Sequence, residues 1–227
     1  MFEVDNDDHW IPLADLMTGL MVIFLLISVA IMVKTIERHQ QKIEQELKKN
    51  LPVTSKTVDN IGRELRQALG NTTLKASNVQ FESDNLIIRF RGNLGLFTVG
   101  SSNITPQFQQ QLNQFFPEYL QVVRKYESQI SNVSIDGYAS SFWGRHADID
   151  KAYLLNMNLS QQRAKAVLEH IYHDVLAKQP QQQEFIRDYF TANGYSSSRA
   201  VINQDGSENS DLSQRVEFKI IIKSRNQ

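Results

Sequence analysis

An acidic side chain, Asp15, lies near the start of a long apolar segment and carries the only charge between residues 11 and 33. A charged group at the middle of a membrane costs roughly 2.5–3.5 kcal/mol on insertion scales, so an acid embedded there is a candidate for function by default. Such a carboxylate could hold and release a proton or a sodium ion.

The segment around this acid is long enough to cross a bilayer. A helix over residues 11–33 would measure about 34 Å at a rise of ~1.5 Å per residue. No basic stretch precedes the segment and no cleavage site of small residues follows it, which argues against a signal peptide. We predict a transmembrane helix at residues 11–33, preceded by an N-terminal tail at residues 1–10.

A second interpretation places Asp15 at the membrane surface. Pro12 suits the first turn of a helix, where its missing N–H needs no partner. Asp15 would then lie close to the positive end of the helix dipole, within reach of headgroup water. Spacing alone does not decide between the two interpretations.

Composition limits the classes of function. The 227 residues carry a net charge of −1 and no long basic tract, which argues against general nucleic-acid binding. Cysteine is absent, so disulfides and cysteine-based metal sites are excluded. No nucleophile and base can be paired, so we expect neither an enzyme nor a cofactor or metal.

The charges that flank the apolar segment bear on topology. The positive-inside rule would place the C-terminal domain in the cytoplasm, although long domains can be exported despite flank charge. The N-terminal flank contains the acids Glu3, Asp5, Asp7 and Asp8 and no Lys or Arg, whereas the other flank contains Lys34, Arg38, Lys42, Lys48 and Lys49.

Residues 34–56 are predicted to form a juxtamembrane helix and a connector. Apolar positions spaced three and four apart are typical of a short coiled coil, as two anchors side by side would form. A single amphipathic helix fits the same pattern. Pro52 is expected to end the helix. The stripe consists of Val33, Ile36, Gln40, Ile43 and Leu47.

From residue 57 to residue 227 the pattern predicts one mixed α and β domain, with strands joined by helical crossovers into a single sheet. Helical spacing predicts helices at Val58–Leu69, Pro106–Tyr126 and Leu159–Leu176, the last with Ser160 near its start as a cap. Strands are predicted at Leu86–Phe90, Val133–Gly137, Ala200–Ile202 and Val216–Ile222.

Two short motifs carry a first resemblance. Trp10 and Ala14-Asp15-x-Met17-Thr18, with the apolar segment after them, resemble the anchor of MotB-type stator subunits. This resemblance implies that Asp15 carries ions through a channel formed with a larger, multi-span membrane partner of the MotA type.

The rest of the chain resembles the OmpA-type peptidoglycan-binding domain, which implies an α/β (α+β) fold in the periplasm. Four motifs match in order: Leu96-Phe97-x-x-Gly100 followed by Ile104-Thr105-Pro106, Ile135-Asp-Gly-Tyr-Ala139, Asn156-x-x-Leu159-Ser160-x-x-Arg163-Ala164, and Gln214-Arg-Val-Glu217. The peptidoglycan-binding residues that the resemblance implies are Tyr138, Ser140, Asn156, Leu159, Arg163 and Arg215.

The chain departs from that pattern at several places, one of which is the segment from Phe142 to Leu154, longer than is usual in the family. Ser140 occupies a position where the family usually has an acid, for which Asp148 or Asp150 could substitute, and Ser213 replaces a common asparagine. His146 with the two aspartates favours a solvated loop over a metal site. His170 and His173 have no acidic partner at matching spacing.

The two arginines each have a structural alternative. Arg163 offers a planar fork of donors that suits the carboxylates of peptidoglycan stems. It could instead form an exposed salt bridge with Glu169 or Asp174. Arg215, beside the last strand, could simply cover the edge of the sheet.

Together the two resemblances describe an ion-driven stator subunit that grips the cell wall. A short acidic N-terminus and a brief connector distinguish the chain from flagellar subunits. They make it more similar to the smaller membrane subunit of Zorya anti-phage defence systems. This similarity implies an inner-membrane homodimer with a cytoplasmic N-terminus and a ZorA- or MotA-like ring as partner. A flagellar-type stator and a plain wall tether remain alternatives.

Overall fold

The computed structural model describes residues 10–92, 95–144 and 148–223, with side chains except at positions 10–15, 18, 22, 30, 37 and 39–54. Nearly all of the predicted N-terminal tail and the whole of His146 lie outside these residues. The chain divides into two compact units, Met1–Pro52 and Val53–Gln227.

The described residues of the first unit, 10–52, are helical. Helix α1 spans Trp10–Leu69 and contains one stretch, Gly19–Ile36, that is long and apolar enough to cross a membrane. Its described apolar side chains, from Leu16 to Ile36, are between 47% and 73% exposed. A helix with this much uncovered apolar surface fits a membrane protein.

Helix α1 continues through Pro52 into the second unit, so the predicted break at this proline is wrong. A proline removes one backbone hydrogen bond. The turns that follow are held by packing, because Ile61, Leu65 and Leu69 recur every four residues and are fully buried. Residues Val58–Leu69 are therefore helical, as predicted, and their buried face stabilises the helix.

The described residues of the second unit form one five-stranded sheet in the order β1-β2-β5-β3-β4, with only β3 and β4 parallel. This confirms the predicted single sheet and the fold class. The strands are β1 Val79–Glu82, β2 Ile87–Arg91, β3 Ile130–Tyr138, β4 Phe190–Gly194 and β5 Arg215–Ile222. The helices after α1 are α2 Pro106–Lys125, α3 Ile149–His170, α4 Pro180–Tyr189 and α5 Ser210–Ser213, with a π-helical turn at Ile171–Val175.

Several predicted elements need correction. Ala200–Ile202 is not a strand, because it makes a single bridge from Ile202 to Glu208. Strands β1 and β4 were not predicted, since one is a short edge strand and the other is polar and ends in glycine. Helix α3 begins at Ile149, ten residues before the expected start, so Ser160 lies inside the helix and does not cap it.

An aromatic cluster joins the sheet to helix α2. Phe90 and Phe218 from two neighbouring strands pack on Phe115, with ring centroids 5.1 and 4.9 Å away in edge-on geometry. Tyr119, one turn further along the helix, is fully buried beside them. Alternation along the strands puts these rings on one face of the sheet, where the core lies.

Two glycines let helix α3 lie directly on the sheet. Gly137 and Gly194 are paired across the parallel strands β3 and β4. A Cβ at either position would fall within 3.0 Å of the backbone of Ser160 or Gln161. The Gln161 side chain also accepts from the Gly194 N–H at 2.7 Å and donates to the Ala192 carbonyl at 3.0 Å. This contact fixes the helix over the ends of the strands.

We expect Gly137→Ala to lower the free energy of unfolding by about 1–3 kcal/mol, because the added methyl group has no room against the helix backbone. Gly62→Ala is the matched control. A Cβ there meets its nearest neighbour at 3.4 Å, an ordinary contact, and alanine should stabilise a helix interior by roughly 0.5–1 kcal/mol. Denaturant unfolding of both variants measures the difference. Equal stability would contradict the close packing.

Candidate functional site

The start of helix α3 contains the two acids, Asp148 and Asp150, that could substitute for an acid at Ser140. The Asp148 carboxylate accepts the Lys151 N–H at 2.7 Å and caps the helix, and Asp150 is exposed in the first turn. The expected solvated loop is therefore partly helical. Neither acid lines the cavities described below, so nothing in their placement supports them as substitutes for an acid at Ser140.

Two cavities lie between helix α3, the end of strand β3 and the segment before helix α2. The larger one, which we call the groove, has a volume of about 240 Å³; the smaller one, the inner cavity, has about 30 Å³, room for a water molecule. Arg163 and Gln214 line both. The groove is also lined by Val99, Gly100, Ala139, Ser140, Phe142, Trp143, Gly144, Asn156 and Leu159, and the inner cavity by Gly92, Leu96, Phe97, Tyr138 and Arg215.

The structure thus brings together all six of the residues predicted to bind peptidoglycan. Each lines at least one of the two cavities, although they come from strand β3, the segment just after it, helix α3 and strand β5. Four of them belong to the groove and three to the inner cavity, with Arg163 shared.

Arg163 is buried, with only 6% of its surface exposed, so the expected exposed salt bridge is wrong. Its Nε donates to the Ser101 carbonyl at 3.0 Å, and its guanidinium lies 5.0 Å from the Phe97 ring. No carboxylate pairs with it among the described residues. Burial lowers the pKa of Arg163 to about 10, so the side chain is still cationic at neutral pH.

The two acids proposed as partners of Arg163 are engaged elsewhere. Glu169 pairs with Lys165 at 3.1 Å. Asp174 lies 2.8 Å from Nδ1 of His170, which corrects the expectation that this histidine lacks an acidic partner. Within the described part of the chain no cluster of histidines and acids could hold a metal ion.

Arg215 has a different environment. It lies at the start of β5, in the middle of the sheet, so it does not cover a sheet edge. Its Nε is 2.7 Å from a Glu217 oxygen, and that same oxygen accepts from Arg89 at 2.6 Å. The Arg215 guanidinium lies 3.8 Å from the Tyr138 ring centroid. The charge of Arg215 is therefore compensated by a buried carboxylate, whereas Arg163 has no carboxylate partner among the described residues.

Hydrogen bonds to Ser196 connect helix α3 with the end of strand β3. The Ser160 hydroxyl accepts from the Ser196 N–H at 2.9 Å, and the Ser196 carbonyl accepts from the Ala139 N–H at 2.9 Å. Ser196 is fully buried with a positive φ of 51°, an uncommon backbone conformation that the two bonds maintain. Nothing in the local sequence marks this serine.

Glu208 is a second residue that the sequence did not indicate. Both of its carboxylate oxygens lie 3.1 Å from the Ser141 backbone N, and the Ser141 hydroxyl also donates to it. Ser141 stands between two residues of the groove. Glu208, 67 positions further along the chain, thus connects Ser141 at the edge of the groove to the loop before α5. This pairing is evident only in the three-dimensional structure.

Together these observations define a class of protein: an apolar helix long enough to span a membrane, followed by an α+β domain whose groove contains an arginine without a carboxylate partner among the described residues. No protein-family model matches the chain. It is 33% identical to the Zorya protein ZorB of Escherichia coli strain Crooks over 219 residues, which cover 95% of this chain and 88% of the relative. The chain belongs to the ZorB family.

Other similarities are more distant. The Zorya protein ZorB of Escherichia coli O139:H28 strain E24377A is 26% identical, over 93% of this chain and 79% of the relative. A putative MotB-like protein from Desulfovibrio vulgaris is 18% identical, with a TM-score of 0.49 over 74% of this chain and 96% of that one. The cell wall anchor of the Pseudomonas aeruginosa T6SS is 22% identical, with a TM-score of 0.45 over 70% and 97%.

The buried ion pairs beneath the site predict a dependence of stability on pH. Burial alone would raise the pKa of Glu217, but hydrogen bonds from Arg215 and Arg89 outweigh it and hold the pKa below 4.5. A carboxylate with a depressed pKa stabilises the folded state above its unfolded pKa. That stability is lost as pH falls through the folded value.

We therefore expect Glu217→Gln to lower the free energy of unfolding by about 3 kcal/mol at pH 7, because the buried Arg215 and the half-buried Arg89 lose a shared charge partner. The difference in unfolding free energy between parent and variant should narrow as pH falls below about 4.5, because the carboxylate then takes up a proton in the unfolded chain and keeps its charge in the folded chain until lower pH. Denaturant titrations at several pH values measure it. Glu82→Gln, at a partly exposed acid 3.5 Å from Arg89, is the control and should change stability by under ~1 kcal/mol.

Proposed function

We propose that this chain is the smaller subunit of a proton-driven, stator-like membrane motor that grips peptidoglycan and acts in anti-phage defence. The observation that carries the proposal is the cationic Arg163 side chain, buried in a groove with no carboxylate partner among the described residues. Membership of the ZorB family supports the defence role.

Wall binding follows from the chemistry of the groove. Peptidoglycan stems present carboxylates, and a guanidinium can hold a carboxylate through two parallel hydrogen bonds. Burial strengthens this attraction, because Arg163 has already lost much of its hydration. The neighbouring Asn156 and Ser140 side chains supply further polar contacts for a peptide, and Leu159 supplies an apolar one.

Arg163→Ala should weaken binding of the full chain, in detergent micelles, to purified peptidoglycan sacculi. Loss of one charge-assisted bidentate contact should cost on the order of 1.5–3 kcal/mol, roughly ten- to a hundredfold in affinity. Arg63→Ala, at an exposed arginine of helix α1, is the matched control and should bind like the parent. Co-sedimentation measures both. Unchanged binding of a folded Arg163→Ala would refute this role.

Ion transfer is assigned to Asp15, which lies in α1; its side chain is outside the described residues. Each charge that crosses the membrane releases about 2.3 kcal/mol per 100 mV, which can bias a cycle of protonation and release. Within a MotA- or ZorA-like ring, two copies of this chain would present two such acids. We propose that the ring steps around this pair.

Asp15→Asn keeps the size and hydrogen-bonding ability of the side chain but removes its ability to ionise. We expect the variant to co-purify with the ring subunit while protection of cells from phage falls to the level seen without this chain. Plaque counts on cells carrying the complete system measure protection. Asp15→Glu, which retains an ionisable carboxyl, is the comparison. Full protection by the Asn variant would rule out ion transfer by Asp15.

The proposed orientation places the second unit in the periplasm and two chains side by side. The flanking charges oppose this orientation, but long domains can be exported despite them. Two residues of the predicted dimer stripe, Val33 and Ile36, have described side chains. Both are about half exposed in the single chain, which leaves surface for contact with a second helix. The side chains of the other three stripe residues are outside the described part.

Because the chain contains no cysteine, introduced thiols test orientation and dimerisation together. Ile36→Cys should form a disulfide-linked dimer in the periplasm, and Arg38→Cys, off the stripe, should do so less. Lys49→Cys should react with a membrane-impermeant thiol reagent once the outer membrane alone is permeabilised. Labelling only after the inner membrane is broken would place the domain in the cytoplasm.

A further inference from the structure

One side of the groove is a segment without helix or strand, residues 140–144, which we call the rim. It follows strand β3 and contributes Ser140, Phe142, Trp143 and Gly144 to the lining of the groove. The Phe142 side chain is 66% exposed. Neither a strand ladder nor burial in the core therefore fixes the rim, and its position depends on individual hydrogen bonds.

The hydrogen bonds described for the rim go to two side chains. Asn156 donates to the Phe142 carbonyl at 3.5 Å, which is longer than a usual hydrogen bond. Glu208 accepts from the Ser141 N–H with both carboxylate oxygens at 3.1 Å, and it also accepts from the Ser141 hydroxyl. Bonds to an ionised acceptor are roughly twice as strong as bonds between neutral groups. Glu208 is thus the main attachment of the rim.

The carboxylate of Glu208 is itself held in place by a narrow loop, residues 201–209. Ile202 and Glu208 form an antiparallel bridge across this loop. Beside the bridge, the Asn209 N–H donates to the Val201 carbonyl at 2.7 Å. A side chain on a loop closed in this way has little freedom to follow the rim if the rim moves outward.

The same loop is connected to the opposite side of the site. The Val201 N–H donates to the Ser213 hydroxyl at 2.9 Å. Gln214, which lines both cavities, and Arg215, which lines the inner one, follow directly in the chain. Glu208 therefore joins the rim to the residues that face it from the start of strand β5.

We propose that Glu208 is a positioning residue for wall binding, because through Ser141 it holds the rim at a fixed distance from Gln214. This proposal rests on the proposed wall-binding function. Neither cavity described above is lined by Glu208, so the residue acts through the rim and not on the ligand. Without this attachment the rim would have to become ordered each time a ligand binds, and the entropy lost would weaken affinity.

The test uses Trp143 as a reporter of the rim. The chain contains two tryptophans, Trp10 and Trp143, so Trp10→Phe leaves a single one. In this background, with the full chain in detergent micelles, we expect Glu208→Ala to roughly double the quenching of Trp143 fluorescence by acrylamide, because the rim opens more often. Binding to purified peptidoglycan sacculi, measured by co-sedimentation, should weaken about fivefold.

Two further variants separate this role from a general effect of the substitution. Glu208→Gln keeps an oxygen that can accept the Ser141 N–H, so it should stay within about twofold of the parent in both measurements. Glu184→Ala removes an exposed acid of helix α4 and should match the parent.

The outcomes distinguish this proposal from the proposed function. If the parent binds sacculi and Glu208→Ala binds equally well, or if its Trp143 is quenched no more than in the parent, the positioning role is overturned while wall binding stands. Binding by Glu208→Gln as weak as that of Glu208→Ala would also overturn it, since the loss would then follow the charge and not the bond to Ser141. A parent that does not bind sacculi would overturn the proposed function.

Discussion

The close approach of helix α3 to strands β3 and β4 is the contact on which the site depends. Gly137 and Gly194 have no side chains, so the helix backbone rests on the strands and cannot slide without breaking the hydrogen bonds between Gln161 and strand β4. Asn156 and Arg163 project from this helix into the groove. Because the helix cannot move away, neither can the polar groups that it carries.

Charge is distributed unequally around the groove. Glu217 engages both Arg215 and Arg89, and this buried group of three charges stabilises the centre of the sheet. Arg163 is buried without such a partner in the described part of the chain. Burial of an unpaired cation is unfavourable for folding, and a ligand carboxylate would relieve it. An arginine of this kind is more useful for binding than for stability.

The rim of the groove shows how this chain differs from the motif that it resembles. Ser140 cannot offer the charge that an acid would, and the Glu208 carboxylate at this corner is bound to Ser141. The lengthened segment after strand β3 adds Phe142 and Trp143 to the groove. The site therefore has an arginine at one end and aromatic surface at the other.

The sequence alone determined the features that depend on local periodicity or on a compact motif. An apolar stretch of sufficient length predicted a helix able to span a membrane, and alternation and 3.6-residue spacing predicted β5 and α2. The resemblance of four motifs to the OmpA-type domain implied which residues share the site. Tertiary structure decided the rest. Helix α3 begins at Ile149 because the Asp148 carboxylate caps it there, ten residues before the start that the sequence predicted. Glu208 and Ser196 reach the site across 67 and 36 residues, and no local pattern encodes such pairings because they arise only when the sheet brings the segments together.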